Sequence, residues 1–403
     1  MINFLKEKEN IMKKALALVI AVILAVFALC ACGAPGAGET ASAGSNATTG
    51  GEAGEIVIGG LAPLTGDVSV YGIATNNGAQ LAVKQANEAG KNIKYVSYDE
   101  KGDATEAVNA YNKLVENDKI VALVGDVTSK PTQAVAQQAV KDNMPMITGT
   151  GTAANITEVG ENVFRACFID PFQGEVMANY AATELGVKKA AILYDIANDY
   201  SVGLTDSFTA TAKEKGVEIV ASEGYTGGDV DFKSQLTKIA SSGAEALFIP
   251  VYYQDVALIA KQAKEVGITA QLLGADGWDG VIEQVDASNM TSVEGAIFCN
   301  HYSKDGDDAD LKKFIEAYKA EYNEEPNQFA ALGYDAMNIM IAAIEKAGST
   351  DSAAIIEALK NTDFKGVTSS ENIKFDENRN PVKSAALTQI KDGEYKFLEY
   401  YSN

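Results

Sequence analysis

The sequence predicts an α/β fold with two doubly wound lobes, each built on a parallel sheet covered by helices on both faces. Short β-branched apolar runs alternate with amphipathic helical stretches, which is typical of parallel sheets buried on both sides. This alternation breaks near residues 164–171 and then starts again. The body of about 350 residues is also larger than one hydrophobic core usually serves, so two lobes are expected.

The first series begins with a strand at Ile56-Val57-Ile58, and a loop rich in glycine and threonine leads from it to a helix near residues 76–89. The remaining predicted elements are strands at 92–98, 120–124 and 144–148 and helices at 104–116 and 130–141.

The second series follows Pro171 and repeats the same alternation. Its predicted helices span 172–185, 201–215, 231–241 and 255–266, and its predicted strands span 190–194, 217–221, 246–250 and 271–273.

An apolar run at residues 15–29 follows Lys13 and Lys14 and predicts a signal peptide over residues 1–31. The run is too short and too abruptly ended for an ordinary membrane-spanning helix. Because Met12 and the two lysines open a normal signal peptide, a true start at Met12 stays open. An uncleaved N-terminal anchor helix is the alternative.

The run ends in Leu29-Cys30-Ala31-Cys32, which resembles the lipobox of bacterial lipoproteins. By that resemblance Cys32 carries a diacylglyceryl group and becomes the new N-terminus. Cys30 fits less well, because the bulky Leu29 would occupy the position of a small residue. Two acyl chains suffice for lasting attachment, so we expect an extracytoplasmic protein anchored by lipid, on a Gram-positive-type cell surface or in a periplasm.

Residues 32–54 are small and polar and predict a flexible linker behind this anchor. The whole chain has 33 basic and 55 acidic residues, a net charge of −22, and loss of the four Lys and two Glu of residues 1–31 makes it −24. So acidic a body disfavours nucleic acid as a partner.

Few residues in the chain suit catalysis or metal binding. The sequence holds one histidine, His301, and beyond the signal region two cysteines, Cys167 and Cys299, so a His or Cys/His metal site is not expected. GxSxG, Walker A and HExxH motifs are missing from the sequence, and Gly59-Gly60 lacks dinucleotide-binding spacing. We expect neither an enzyme nor a cofactor.

Ligands of open parallel sheets lie beyond the carboxyl ends of the strands. Here those ends carry short loops rich in Gly, Ser, Thr and Tyr, which indicates a hydrogen-bonding pocket rather than a reactive one. The loops are 59–71, 125–132, 149–155, 252–254 and 274–278.

At these loops the chain resembles the branched-chain amino-acid (Leu/Ile/Val-type) substrate-binding proteins of ABC importers, or type I periplasmic binding proteins. The resemblance covers roughly residues 55–400 and rests on the order of IGGLAPLTGDVSVYG, ALVGDVTSKPTQAVA, MPMITGTGTAANIT, FRACFIDPFQG, ILYDIANDYSVG and LLGADGWDG. It implies a multi-strand hinge, with lobe 1 formed by 55–168 and 301–375 and lobe 2 by 169–300 and 376–403. It also implies a monomer that captures an amino acid and delivers it to an ABC permease with its ATPase subunits.

The resemblance assigns roles to single residues. Ser129 and Thr152 occupy positions that bind the ligand carboxylate, and the Thr150 carbonyl occupies one that receives the ammonium group. Asp276 stands where the best-known members carry a longer Glu that pairs with this ammonium. The predicted aromatic walls are Tyr71, Tyr252 and Trp278, with Tyr200 and Tyr302 as further candidates.

Three questions stay open at this point. A protein of the same fold could bind amides or urea for transport, and a sensory receptor could bind an amino acid without transporting it. Cys167 and Cys299 fall on segments that the resemblance places side by side, where they could pair or stay free. His301 is interpreted as a hinge or surface residue without a ligand role.

Overall fold

A computed structural model describes residues 54–402 of the chain. The predicted signal peptide, the lipidation site Cys32 and all but the last residue of the predicted linker lie outside these residues. Among the described residues, no helix is long and apolar enough to cross a lipid bilayer.

The first sheet is wholly parallel and has five strands in the order β2-β1-β3-β4-β5. Its strands are β1 (Ile56–Ala62), β2 (Ile93–Asp99), β3 (Ala122–Val124), β4 (Met146–Thr148) and β5 (Val163–Arg165). Strand β1 is longer than the predicted strand at 56–58. It lies between β2 and β3, and its pairing with β2 along its whole length extends it to Ala62.

The second sheet has seven strands in the order β14-β13-β10-β9-β8-β6-β7. Its strands are β6 (Lys189–Asp195), β7 (Glu218–Tyr225), β8 (Ala246–Phe248), β9 (Gln271–Gly274), β10 (Ile297–Asn300), β13 (Ala385–Lys391) and β14 (Glu394–Tyr401). A further small sheet pairs β11 (Phe364–Lys365) with β12 (Asn372–Ile373).

The last two strands of the second sheet are antiparallel, unlike the rest. They form a hairpin whose turn is Asp392-Gly393, and both turn residues have positive φ, 55° and 73°. An Asp-Gly pair is a favoured two-residue hairpin turn, because it matches the twist of the flanking strands. The sheet is therefore a parallel sheet extended by one antiparallel edge hairpin.

Helices cover both faces of the first sheet. They are α1 (Ser69–Glu88), α2 (Ala104–Lys113, continued by a π-helical turn at Leu114–Asp118), α3 (Ser129–Lys141), α4 (Asn155–Glu158), α10 (Ala309–Tyr322), α11 (Gln328–Ala347) and α12 (Ser352–Lys360). Helices α1 and α11 cross closely at two glycines, since a Cβ on Gly78 would lie 2.0 Å from the Ala330 carbonyl oxygen, and one on Gly333 would lie 2.1 Å from that of Thr75.

The second sheet has its own set of helices. They are α5 (Asp170–Thr183), α6 (Asp199–Glu214), α7 (Lys233–Ala240), α8 (Tyr253–Glu265) and α9 (Val281–Gln284), with 3₁₀ turns at Asp276–Trp278 and Ala287–Ser292. The predicted α/β architecture of two sheet-based lobes is confirmed.

Three segments join the elements of one lobe to those of the other: 166–169 after β5, 301–308 after β10, and 374–384 before β13. The two cysteines lie in or beside these connections, and both are buried free thiols. Cys167 donates its thiol hydrogen to the Gly151 carbonyl oxygen at 3.2 Å. No disulfide crosses the hinge in the described structure.

Candidate functional site

A small cavity lies between the two lobes at the carboxyl ends of their strands, and its free volume of about 10 Å³ is room for about one water molecule. Seven of the nine residues predicted to bind a ligand line it: Tyr71, Ser129, Thr150, Thr152, Tyr200, Tyr252 and Asp276. Val127, Thr128, Gly277 and Phe329 complete the lining.

On the side of the first lobe, the cavity meets the start of helix α3. Ser129 is the first helical residue, and Thr128 before it has an extended backbone. The unpaired N–H groups and the positive dipole end of a helix attract an anion at this position. The Ser129 hydroxyl accepts a hydrogen bond from the Ala153 backbone N–H at 3.2 Å, which joins the helix start to the neighbouring loop.

That neighbouring loop, residues 149–154, is fixed from behind by a buried arginine. Arg165 donates from Nη1 to the Gly151 carbonyl oxygen at 2.9 Å and from Nη2 to that of Ala153 at 3.0 Å. The Thr150 hydroxyl donates to the Val127 carbonyl oxygen at 2.7 Å. The loop is therefore held rigidly, with a positive charge behind it that favours an anion in front of it.

On the side of the second lobe, the cavity meets the carboxylate of Asp276, which is only 3% exposed. Its Oδ1 accepts hydrogen bonds from Gln173 Nε2 at 3.0 Å and from the Tyr200 hydroxyl at 2.8 Å. Its Oδ2 lies 3.4 Å from His301 Nε2. Among the described residues, no Lys or Arg forms an ion pair with Asp276, so its partners are polar groups rather than a fixed cation.

A second acid lies beside this one. Asp170 is buried at the start of α5, and its Oδ1 lies 3.4 Å from the same Gln173 amide nitrogen. Burial, and next the charge of Asp276, raise the pKa of Asp170 well above its ordinary value. Burial and the neighbouring carboxyl therefore both disfavour a negative charge on Asp170.

Aromatic rings form the remaining walls. Tyr71 stacks on Phe329 with ring centroids 4.2 Å apart, and Tyr200 stacks on Tyr252 at 4.9 Å. The Tyr71 hydroxyl donates to the Gly277 carbonyl oxygen at 2.5 Å and accepts from the Tyr253 backbone N–H at 3.0 Å. Tyr71 thus connects the lobes, and it lies on helix α1 because this helix begins earlier than predicted.

Trp278 and Tyr302 do not line the cavity, which corrects their predicted place in its wall. The turn that points Asp276 toward the cavity points Trp278 into the core, where its indole N–H donates to the Ile249 carbonyl oxygen at 2.8 Å. The Tyr302 hydroxyl donates to the Pro326 carbonyl oxygen instead. The indole N–H of Trp278 and the hydroxyl of Tyr302 therefore already have hydrogen-bond partners inside the protein.

Four residues at or behind the cavity were not predicted to belong to the site. Phe329 lines it, and Gln173, His301 and Gln328 hold the Asp276 turn. Gln173 lies within a motif quoted above, but its amide gave no sign of a role. His301 is fully buried rather than at the surface, and residues after 300 showed no local pattern that pointed to the cavity.

A wider cleft of about 290 Å³ opens outside the cavity and shares Thr128 and Tyr252 with it. Lys130 and Asp195 line this outer cleft. Lys130 therefore lies at the entrance rather than beside the inner cavity.

The inner cavity offers opposite electrostatic surfaces at its two ends and apolar ring surfaces between them. Among residues 54–402, no group of three or more His, Cys, Asp or Glu side chains could hold a metal ion. The arrangement suits the noncovalent capture of a small molecule with one negative and one positive group.

Known proteins resemble this chain over nearly all of the described region. A model of a periplasmic binding protein family matches residues 55–394. The Leu/Ile/Val-binding protein homolog 3 of Brucella melitensis is 36% identical over 311 residues, which are 76% of this chain and 83% of that protein.

Two solved structures share the architecture, each with a TM-score of 0.81. The leucine binding protein LivK of Thermotoga maritima is 35% identical, and the match covers 86% of this chain and 99% of that one. The branched-chain amino acid transporter substrate binding protein LivJ of Streptococcus pneumoniae, in complex with isoleucine, is 34% identical, with 87% and 100% covered.

Proposed function

The chain belongs to the periplasmic binding protein family, and we propose that it captures a branched-chain amino acid outside the cytoplasm and delivers it to an ABC import permease. Two relatives named for leucine, isoleucine or valine binding and a structure holding isoleucine support this ligand class. The family consists of solute-binding proteins, and the residues that line the cavity suit binding rather than a chemical reaction of the ligand.

The observation that carries the proposal is the opposition of the α3 start and Asp276 across one small cavity. The ligand carboxylate binds at Ser129 and Thr152, where helix N–H groups and the charge of Arg165 favour it. The ammonium group binds at Asp276, with the Thr150 carbonyl as a second acceptor. A charge-assisted hydrogen bond inside a closed cleft is strong.

The walls favour an aliphatic side chain. The hydroxyls of Tyr71 and Tyr200 are both engaged with protein groups, so the rings present their apolar surfaces to the ligand. Burial raises the pKa of both tyrosines well above the ordinary value, and they stay neutral. A polar ligand side chain would lose its water without gaining a partner, which disfavours it.

Capture works by hinge closure. Ligand contacts from both lobes stabilise the closed form, and only their differential affinity for the closed and open forms shifts the balance. Tyr71 stabilises the contact between the lobes directly, because this residue of the first lobe forms hydrogen bonds through its hydroxyl to backbone groups of the second lobe.

The buried acid also separates this function from transport of urea or neutral amides. An Asp276 without a positive partner is costly to bury, and a neutral amide does not offer one. A receptor that signals without transport would use the same cavity, and the permease is what distinguishes the two roles.

We further propose that Cys32 anchors the protein by lipid and that the linker lets the body reach a membrane-bound permease. The lobes are assigned as 55–168 with 301–375, and 169–300 with 376–403, in keeping with the membership of the two sheets. A monomer is sufficient, because the described cavity is formed within one chain.

A thermal-shift screen of the purified protein against amino acids, urea and short amides tests the proposal. A ligand that binds the native state raises the unfolding midpoint by mass action. We expect leucine, isoleucine or valine to raise it most. Absence of a shift with every amino acid would refute the proposed ligand class.

A further inference from the structure

The chain contains a single histidine, His301, and it is fully buried behind the candidate ammonium site. It follows strand β10 directly, in one of the three segments that connect the lobes. Its ring stacks on Phe168, with centroids 3.5 Å apart and an interplanar angle of 22°. His301 does not itself line the cavity, but its Nε2 approaches Asp276, which does.

We propose that His301 is a positioning residue, whose neutral ring donates a hydrogen bond from Nε2 to Asp276 and holds that carboxylate toward the ligand's ammonium group. This inference rests on the proposed function, in which Asp276 receives the ammonium group of an amino acid.

The surroundings of the ring assign its proton to Nε2. Within the described structure, Nδ1 is buried and has no hydrogen-bond partner, whereas Nε2 lies 3.4 Å from Asp276 Oδ2. A proton on Nδ1 would leave a buried donor unsatisfied and would turn the Nε2 lone pair toward a carboxylate oxygen. With the proton on Nε2, the carboxylate gains a donor.

The ring stays neutral at physiological pH. Burial lowers the pKa of His301 to about 4, although the neighbouring Asp276 acts in the opposite direction. Several other charged or titratable groups lie near this pair. They are Asp170 from α5, Lys383 from the segment before β13, the thiols of Cys167 and Cys299, the hydroxyls of Tyr71, Tyr200 and Tyr252, and Asp279. A neutral donor orients Asp276 without cancelling the charge that the ligand needs, which an imidazolium would do.

Gln328 fixes the histidine and the acid relative to each other. Its side-chain Oε1 accepts from the His301 backbone N–H at 3.0 Å, and its Nε2 donates to the Asp276 carbonyl oxygen at 2.7 Å. Gln328 starts helix α11, which packs on the first lobe, whereas Asp276 belongs to the second. The geometry of the pair therefore depends on how the two lobes meet.

The first test needs no ligand. In untagged protein labelled with ¹⁵N-histidine, long-range ¹H–¹⁵N NMR reports on His301 alone, because the chain has no other histidine. We expect a neutral ring from pH 8 to pH 5 with a protonated Nε2 and an unprotonated Nδ1. We also expect Asp276→Asn to shift the Nε2 signal. A protonated Nδ1, an imidazolium at pH 7, or a signal indifferent to Asp276→Asn would overturn the proposal.

The second test measures binding of L-leucine by calorimetry. His301→Leu removes the donor at similar size, and we expect about a tenfold loss of affinity. His301→Gln keeps an Nε2–H donor and should recover most of that loss. Equal losses in both variants would indicate a packing role and contradict the proposal. If the wild-type protein binds no amino acid, the proposed function fails, and the NMR test still decides the state of the ring.

Discussion

The two ends of the cavity are built in different ways. The first lobe forms one end from a helix start and a loop, in which Ser129 and the segment 149–154 contact each other directly. The second lobe forms the other end from the carboxylate of Asp276, whose three side-chain partners come from α5, α6 and the hinge. The end proposed to bind the ligand carboxylate, called the anion end, is thus local and made largely of backbone. The end proposed to bind the ammonium group, called the cation end, is a network of distant side chains.

This difference predicts how each end responds to substitution. Backbone N–H groups and a helix dipole remain when a hydroxyl is deleted, so the anion end should lose affinity by degrees. The cation end depends on the carboxylate of Asp276, so deleting that charge should lower the affinity severely. Four substitutions, ranked by decreasing effect on affinity, test this contrast.

Asp276→Asn should cause the largest loss, because it removes the carboxylate that lines the cavity at the cation end while keeping the shape of the side chain. We expect leucine affinity to fall at least tenfold, about 1.4 kcal/mol or more, by calorimetry. Asp255→Asn is the matched control, since this acid of the same lobe pairs with the Tyr225 hydroxyl and does not line the cavity. Affinity equal to wild type in Asp276→Asn would remove the residue from the site.

Ser129→Ala should cause an intermediate loss of about fivefold, or about 1 kcal/mol, because the helix N–H groups still bind the carboxylate. Ser201→Ala is a close control. Ser201 is also buried in the first turn of a helix, and its hydroxyl accepts from the Asp195 N–H at 3.0 Å, but it does not line the cavity. A loss in Ser129→Ala as large as in Asp276→Asn would contradict the contrast between the two ends.

Tyr71→Phe should lower affinity by about two- to fivefold, since it deletes one hydroxyl that joins the lobes. Its ring keeps the stacking on Phe329. Tyr111→Phe deletes a hydroxyl bonded to Asp142 inside the first lobe, and it should change stability only. If the two variants bind leucine equally well, the Tyr71 hydroxyl does not contribute to closure.

Glu100→Gln should leave affinity within about twofold but change the pH dependence of stability. Glu100 and Asp126 are buried together behind the anion end, and burial raises the pKa of both. An acid with a raised pKa in the folded state stabilises below its unfolded pKa and loses that contribution as pH rises through the folded pKa.

The free energy of unfolding of the wild-type protein should therefore fall as pH rises from about 5 toward 9, and Glu100→Gln should flatten this decline. Urea unfolding across this pH range measures it, with the exposed Glu116→Gln as the control. An unchanged slope in Glu100→Gln would show that the buried pair does not titrate as described.

The same contrast explains what the sequence could reveal. The anion end was predictable, because a strand end, a serine and a helix start follow one another within a few residues. Asp276 was found through its motif, but Trp278, two residues later, was misplaced. One 3₁₀ turn sends the two side chains in opposite directions, and the Trp278 ring lies over Gly274 in the core.

The supporting residues of Asp276 could not be predicted in this way. Gln173 is 103 residues from Asp276 and Gln328 is 52 residues away, so no local pattern connects them. The alternation of strands and helices predicted the lobes because it depends on contacts repeated along each element. The edge hairpin at Asp392-Gly393 carried a readable turn signal, but the network around the acid arises only from tertiary packing.

The central claim is that the cavity holds both charged ends of one amino acid. Calorimetry with L-leucine, 4-methylpentanoate and 3-methylbutylamine tests it directly, since the second compound lacks the ammonium group and the third lacks the carboxylate. We predict that leucine binds and that each single-ended analogue binds at least tenfold more weakly, a difference of about 1.4 kcal/mol or more. An analogue that binds as tightly as leucine would contradict the account.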